Sequence, residues 1–173
     1  MKLKNKLLIY PLLSLLVTML SCGKKPTPAT PAPVVITPTF TFTAFGITCT
    51  GVQYSISIPA NPPSIITGSN GDNTAGNYQM VQISISSNVS SIGTYTLNSA
   101  VGSGGNIAEY ASGASPSFTY NTNATHTGTL NVTKIDNAAK TISASYSFVA
   151  QQYNSANTGT VSVSGSFTNV SFQ

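Results

Sequence analysis

Charge is scarce in this 173-residue chain: charged side chains make up 6% of it, and arginine is absent. The formal net charge of +4 is misleading, because Lys2, Lys4 and Lys6 sit in the first six residues. Proteins that bind nucleic acids contact phosphates through clusters of Arg and Lys. The composition therefore argues against a nucleic-acid partner and leaves Ser, Thr, Asn and Gln to form the polar surface, as is common in secreted β-proteins.

The chain is also poor in the side chains that catalysis and metal binding require. It has one histidine, His126, and three acids, Asp72, Glu109 and Asp136. Asp72 and Asp136 lie in turn-forming sequences that favour local hydrogen bonding, and Glu109 lies beside a tyrosine in a predicted strand. Paired-carboxylate hydrolysis needs two acids held close together, which acids in separate turns and a strand do not suggest. A nucleophile would have His126 as its one candidate base, in a loop-like sequence, and a transition-metal site needs several ligands. We therefore predict no enzymatic activity, no metal and no cofactor.

One loop is rich in oxygen ligands and allows a calcium-binding alternative. The ligands there are Asn70, Asp72, Asn73 and Asn77, around Gly71 and Gly76. Calcium accepts such oxygens, but it usually binds more than one carboxylate. A plain surface loop is the preferred interpretation.

The N-terminus carries the strongest motif. After the three lysines, residues 7–20 form an apolar run that is too short to span a bilayer and is typical of a secretory signal. The run ends in Leu20-Ser21-Cys22, which resembles a bacterial lipobox. The resemblance implies that residues 1–21 are a signal peptide, removed to leave an acylated Cys22 as a membrane anchor. Stable anchoring needs two or more acyl chains. The alternative is an ordinary signal peptide with Cys22 as a chance neighbour.

Residues 22–38 are predicted to form the lipidated cysteine and a tether. Five prolines between 26 and 38 favour polyproline II, whose rise of about 3.1 Å per residue gives a reach of roughly 50 Å. Gly23, Lys24 and Lys25 follow the cysteine without an acidic residue. By resemblance to sorted lipoproteins, this favours the outer membrane and its periplasmic side, although the tether also suits the cell exterior.

Residues 39–173 alternate apolar and polar side chains with a period of two. This pattern predicts strands with one buried face and therefore an all-β domain, either an antiparallel sandwich or a small meander barrel. Asp136 begins a predicted hairpin turn, a bulge or a strand end is predicted near Thr168 and Asn169, and Cys49 is predicted to be a small buried hydrophobe. The predicted core comprises Tyr54, Ile56, Val81, Ile83, Ile85, Ile142, Tyr146, Phe148, Val161, Val163 and Phe167.

Four segments resemble a family of uncharacterised Bacteroidetes lipoproteins. They are Gly93-Thr94-Tyr95-Thr96-Leu97 and residues 128–136, 140–148 and 161–170. Members of that family pair a GTY-L strand with a C-terminal β-meander. This chain departs from the pattern at Ala144, where the family usually has Gly, and in lacking Trp. The resemblance implies a location and a shape but no activity.

Tyrosines near strand ends are the remaining candidates for ligand contact. Tyr78, Tyr110, Tyr120 and Tyr153 fall at such positions, where aromatic rings can stack on sugars or peptides or simply cover the rim of the fold. Two functions follow as hypotheses. The first is a non-enzymatic, lipid-anchored domain that binds another envelope protein or acts as an accessory subunit. The alternative is a glycan-binding outer-membrane lipoprotein. Four rings lining one groove would favour this alternative, and scattered rings would favour the first hypothesis.

Overall fold

The computed structural model describes residues 37–51, 53–59, 63–71, 77–113, 118–153 and 159–173. The predicted signal peptide, Cys22, the tether up to residue 36 and the loop residues Asp72, Asn73 and Gly76 lie outside these ranges. Within them every regular element is a strand, so the all-β prediction is confirmed. No helix of the described residues is long and apolar enough to span a membrane.

Eleven strands are described, and they follow one another in the order of the chain. They are β1 (Thr39–Ala44), β2 (Ile47–Thr50), β3 (Gln53–Ser57), β4 (Ser64–Ser69), β5 (Gln79–Ile85), β6 (Gly93–Leu97), β7 (Ile107–Ser112), β8 (Phe118–Asn121), β9 (Gly128–Asp136), β10 (Thr141–Gln152) and β11 (Thr160–Ser171).

All strands belong to one strongly curled antiparallel sheet. Its main order is β2-β1-β11-β10-β8-β7-β5-β4-β3, and β9 and β6 branch from β10. The curl brings the end of β11 back to β3, where Ile58 N donates to Gln173 O (2.9 Å) and Gln173 N donates to Ile56 O (3.2 Å). The two halves of the sheet therefore face each other across a common core, as expected for the predicted sandwich or barrel.

The β1–β2 hairpin lies across the other half of the sheet. At one end Phe40 stacks on Tyr54 of β3, with ring centroids 6.4 Å apart. Midway, the Cys49 thiol donates to Oε1 of Gln79 at the start of β5 (3.3 Å). At the tip, Phe45 meets the rings of Tyr110 and Tyr120, 6.0 and 5.8 Å away. The hairpin thus covers the ends of strands β3, β4, β5, β7 and β8.

Burial follows the period-two pattern. Of the predicted core residues, all but one are buried at 4% exposure or less. Tyr54 is the exception, because it is 37% exposed and covers Phe40 from the solvent side. Cys49 is buried as predicted.

Irregularities in the C-terminal meander centre on Ser143. Opposite it, the β10–β11 register shifts between Ile142↔Val170 and Ala144↔Phe167, which confirms a bulge at residues 168 and 169. Asn169 has a φ of 49°, and its N–H donates to Ser143 Oγ (2.9 Å). The predicted hairpin is present too, since Ala139 N donates to Asp136 Oδ1 (2.9 Å).

Candidate functional site

The far end of β10 lies beside a group of amide side chains. β10 pairs with β9 through Phe148 and then continues past it, so that Gln151 and Gln152 pair with Asn121 and Tyr120 of β8. Because successive side chains alternate between faces, Gln151 and Asn121 share the outer face of the sheet. Tyr120 and Gln152 share the opposite face.

A row of polar side chains crosses this outer face in register. Gln82 on β5 lies opposite Glu109 on β7, Glu109 lies opposite Asn121 on β8, and Asn121 lies opposite Gln151 on β10. Side chains directly opposite each other on one face are close enough to interact. The four strands thus present three amides and one carboxyl as a continuous line.

Glu109 is the acidic member of the row, and it is half-buried. Gln82 Nε2 donates to its Oε2 (3.3 Å). The amide of Asn121, oriented with its nitrogen toward β7, donates to Oε1 of Glu109 (3.0 Å) and to the backbone oxygen of Tyr120 (3.1 Å). Burial raises the pKa of the Glu109 carboxyl, because desolvation disfavours its charged form. By accepting the bond from Asn121 at Oε1, the Glu109 carboxyl holds the Asn121 amide in place.

A surface pocket of about 120 Å³ opens at the end of this row. Its lining comprises Ala100, Val101, Asn121, Thr122, Asn123, Gln151, Gln152 and Tyr153. Asn121 and Thr122 are buried, whereas Tyr153 and Val101 are 50% and 42% exposed. The pocket therefore has a buried polar base and an exposed rim that offers one aromatic and one aliphatic side chain. None of its described lining residues is charged.

The base of the pocket is fixed by backbone bonds. Thr122 N donates to Ala108 O (2.9 Å), and Ala108 N donates back to Thr122 Oγ1 (3.0 Å). The same hydroxyl donates to Ser99 O (3.2 Å), which attaches the loop that carries Ala100 and Val101. These bonds hold the base of the pocket and the loop above it within the fold.

A tight turn fixes the wall at Asn123. Its Oδ1 accepts from the N–H groups of Thr125 and His126, both at 2.9 Å. Its Nδ2 donates to Oε1 of Gln151 (3.1 Å). These bonds fix the side-chain amides of Asn123 and Gln151, both lining residues of the pocket, relative to each other.

The four predicted tyrosines do not line one groove. Tyr110 and Tyr120 pair with each other, 6.0 Å between ring centroids, beneath Phe45, and Tyr110 is fully buried. Tyr78 is buried beside the start of β5. Tyr153 alone reaches the pocket. The amides around it were not predicted, because isolated Asn and Gln in a Ser/Thr-rich sequence give no pattern; only the strand register brings them together.

The other candidates have local roles in the structure. The His126 ring lies by Asn123 Oδ1 (3.2 Å) and the Thr125 hydroxyl (3.0 Å), with no carboxylate partner among the described residues. No group of three His, Cys, Asp or Glu side chains that could hold a metal occurs in the described ranges. Burial raises the pKa of the Cys49 thiol, which disfavours the reactive thiolate. The predicted calcium loop lies mostly outside the described residues.

Comparison with other proteins adds no assignment: no family model matches the chain, and neither a curated protein nor a solved structure is similar to it. The class that the fold and the pocket define is thus an all-β domain with a neutral, amide-lined surface pocket.

Proposed function

We propose that this protein is a lipid-anchored, non-enzymatic binding protein of the cell envelope, and that its ligand occupies the pocket beside Tyr153. The observation that carries the proposal is a pocket whose described lining includes four amide residues, Asn121, Asn123, Gln151 and Gln152, and no charged residue. Amides both donate and accept hydrogen bonds without taking part in acid–base chemistry at neutral pH. They therefore suit binding rather than turnover.

The anchor part of the proposal depends on Leu20-Ser21-Cys22. This motif implies a lipoprotein, and the residues that follow it, Gly23, Lys24 and Lys25, favour the outer membrane. Membership of the Bacteroidetes lipoprotein family that the chain resembles stays a prediction. Cys22→Ser should release the protein from the membrane fraction or leave the leader uncleaved, as judged by fractionation and the mass of the mature N-terminus. A variant that fractionates and matures like the wild type contradicts lipidation.

The binding part is tested in cells with the full chain. We would replace Val101, on the pocket rim, with the photo-crosslinking residue p-benzoylphenylalanine, and use Ile65 on β4 as the control position. Both side chains are exposed, at 42% and 36%, but only Val101 lines the pocket. Illumination should give an adduct of higher mass at Val101 and not at Ile65.

The chemistry of that adduct decides between the two hypotheses. Sensitivity to protease identifies an envelope protein, and sensitivity to glycosidases identifies a glycan. Either adduct supports a binding role for the pocket. Equal adducts at both positions, or none at either, contradict it.

A further inference from the structure

We infer that the pocket beside Tyr153 binds a neutral, hydroxyl-rich ligand, namely a sugar residue of an uncharged glycan. This inference rests on the proposed function and names its ligand class. It differs from the four-tyrosine site predicted from the sequence, because it uses one of those rings and four amides.

The charge of the pocket excludes anionic ligands. Phosphates and carboxylates are recognised by Arg, Lys or a helix N-terminus. The described lining has none of these, and the nearest ionisable group in the row is Glu109, which lies behind Asn121 and would repel an anion. The ligand must therefore be uncharged or weakly cationic.

The polarity of the walls excludes a purely apolar ligand. The Asn123 amide and Gln151 Oε1 are already hydrogen-bonded within the protein. The hydrogen bonds of the described residues include none from Gln151 Nε2 or the Gln152 amide, so covering these groups with hydrocarbon would carry a cost for each. Sugar hydroxyls satisfy such groups because each hydroxyl both donates and accepts. The exposed ring of Tyr153 and the methyl groups of Val101 offer an apolar rim for the C–H face of the same sugar.

The position of the pocket argues against an added peptide strand. Strand addition needs a free sheet edge, where unpaired N–H and C=O groups are offered. The pocket lies at β8 and β10, and β8 is paired on both sides, with β7 and β10. This location therefore suits a ligand that is bound by side chains rather than by a free strand edge.

The size of the pocket sets the scale of the ligand. At about 120 Å³ the pocket is small and open to solvent, so it suits one unit of a ligand rather than a buried chain. The polar row over Asn121, Glu109 and Gln82 continues outward from it, so further sugars of a chain have hydroxyl partners on the same face.

The test uses the full-length protein, purified in a detergent without a sugar headgroup so that the detergent cannot compete. Isothermal titration would compare neutral oligosaccharides of glucose, mannose, galactose and N-acetylglucosamine with anionic polygalacturonate oligomers. We expect at least one neutral oligosaccharide to bind and the anionic set not to bind. Binding restricted to the anionic oligomers, or no binding by the folded protein, overturns the inference.

Variants locate the binding. Tyr153→Ala and Gln151→Ala should each weaken it at least tenfold, whereas Tyr153→Phe, which keeps the ring, should stay within about threefold. Gln53→Ala, an exposed Gln on β3, is the matched amide control and should bind like the wild type. Denaturation midpoints of all variants verify folding, and equal affinity in Tyr153→Ala and wild type would overturn the assignment.

The two proposals fail in different ways. A protease-sensitive adduct at Val101 together with no sugar binding keeps the binding function and overturns the sugar inference. Absence of both an adduct and sugar binding overturns both.

Discussion

Phe148 is a large side chain that β10 contributes to the common core. It is 3% exposed, and its ring stacks on Tyr146 at 6.4 Å. Gly128 on β9 lies directly against it, since a Cβ there would overlap the Phe148 Cβ. The backbone of β9 therefore approaches Phe148 closely, and little room is left for collapse around a truncated side chain.

We expect Phe148→Ala to lower the free energy of unfolding by about 3–5 kcal/mol, because it removes a buried ring and leaves a cavity. Urea denaturation measures the change. Val149→Ala is the matched control, since Val149 is 37% exposed on the opposite face, and its cost should stay within about 1 kcal/mol. Equal midpoints for Phe148→Ala and wild type would show that the buried face is assigned wrongly.

Glu109 links the pocket to the pH dependence of stability. Burial raises its pKa in the folded state above the ordinary value of about 4.3. The folded protein therefore binds a proton more readily than the unfolded chain, and stability falls as pH rises from that ordinary value through the raised one. Above this window the full cost of burying the carboxylate is present.

Glu109→Gln should remove this component. The side chain keeps an acceptor for Gln82 Nε2, and the Asn121 amide can rotate to accept from the new Nε2. We expect the free energy of unfolding of the variant, minus that of the wild type, to increase as the pH rises from 4 to 7. Urea midpoints across that range give the difference, and a constant difference would rule out a titrating Glu109.

At the scale of elements, the contact of β1 with β4 depends on a glycine. Gly68 of β4 faces Phe40 of β1, and a Cβ on Gly68 would overlap the Phe40 ring. Phe40 itself is wedged between Tyr54 and Phe167, whose rings lie 6.4 and 5.6 Å away. Because these rings flank Phe40 on both sides, a Cβ on Gly68 would force the β1–β2 hairpin to shift.

Gly68→Ala is therefore expected to destabilise the fold by about 1–3 kcal/mol through overpacking. Gly159→Ala is the control, because a Cβ there meets only Gln152 Oε1 at an ordinary 3.6 Å. In a Phe40→Leu background the cost of Gly68→Ala should shrink, which a double-mutant cycle of denaturation midpoints measures. Additive costs would mean that the two residues do not compete for the same space.

A comparison of β4 with β5, β10 and β11 shows why part of the sheet was predictable and part was not. β5, β10 and β11 alternate apolar and polar residues cleanly, so their buried faces follow from the sequence. β4 does not: it buries Ser64 and Gly68 and leaves Ile65 exposed at 36%. Ser64 is satisfied by a bond from Val89 N (3.1 Å), and Gly68 makes room for Phe40. These are tertiary causes that no period in the local sequence reveals.

At the scale of the whole molecule, the pocket escaped prediction for a related reason. Its residues come from the loop after β6, the end of β8 and the end of β10, which lie about 20 and 30 residues apart along the chain. The register Gln151↔Asn121 and the bond from Thr122 Oγ1 to Ser99 O bring them together. Aromatic content drew the prediction to Tyr78, Tyr110 and Tyr120, which the fold uses instead as packing around β5 and the hairpin tip.

The side of the outer membrane that the domain faces decides which glycans or proteins the pocket can meet. We propose the outer membrane and its periplasmic side, because Gly23, Lys24 and Lys25 follow Cys22, the predicted lipidation site, without an acidic residue. Surface-exported lipoproteins of the bacteria that carry the resembling family tend to have acidic residues just after the cysteine. A site-specific protease sequence inserted after Pro33, in the tether, lets the domain be released without cleaving its strands.

Protease added to intact cells should leave the domain attached, and protease added after the outer membrane is permeabilised should release it, as followed by immunoblot. The chain without the inserted sequence controls for cleavage elsewhere, and a periplasmic marker reports whether intact cells stayed intact. Release from intact cells that retain the marker would place the domain outside the cell. The pocket would then meet extracellular glycans, and the proline-rich tether, with a reach of at most roughly 50 Å if fully extended, would allow the domain to stand away from the membrane surface.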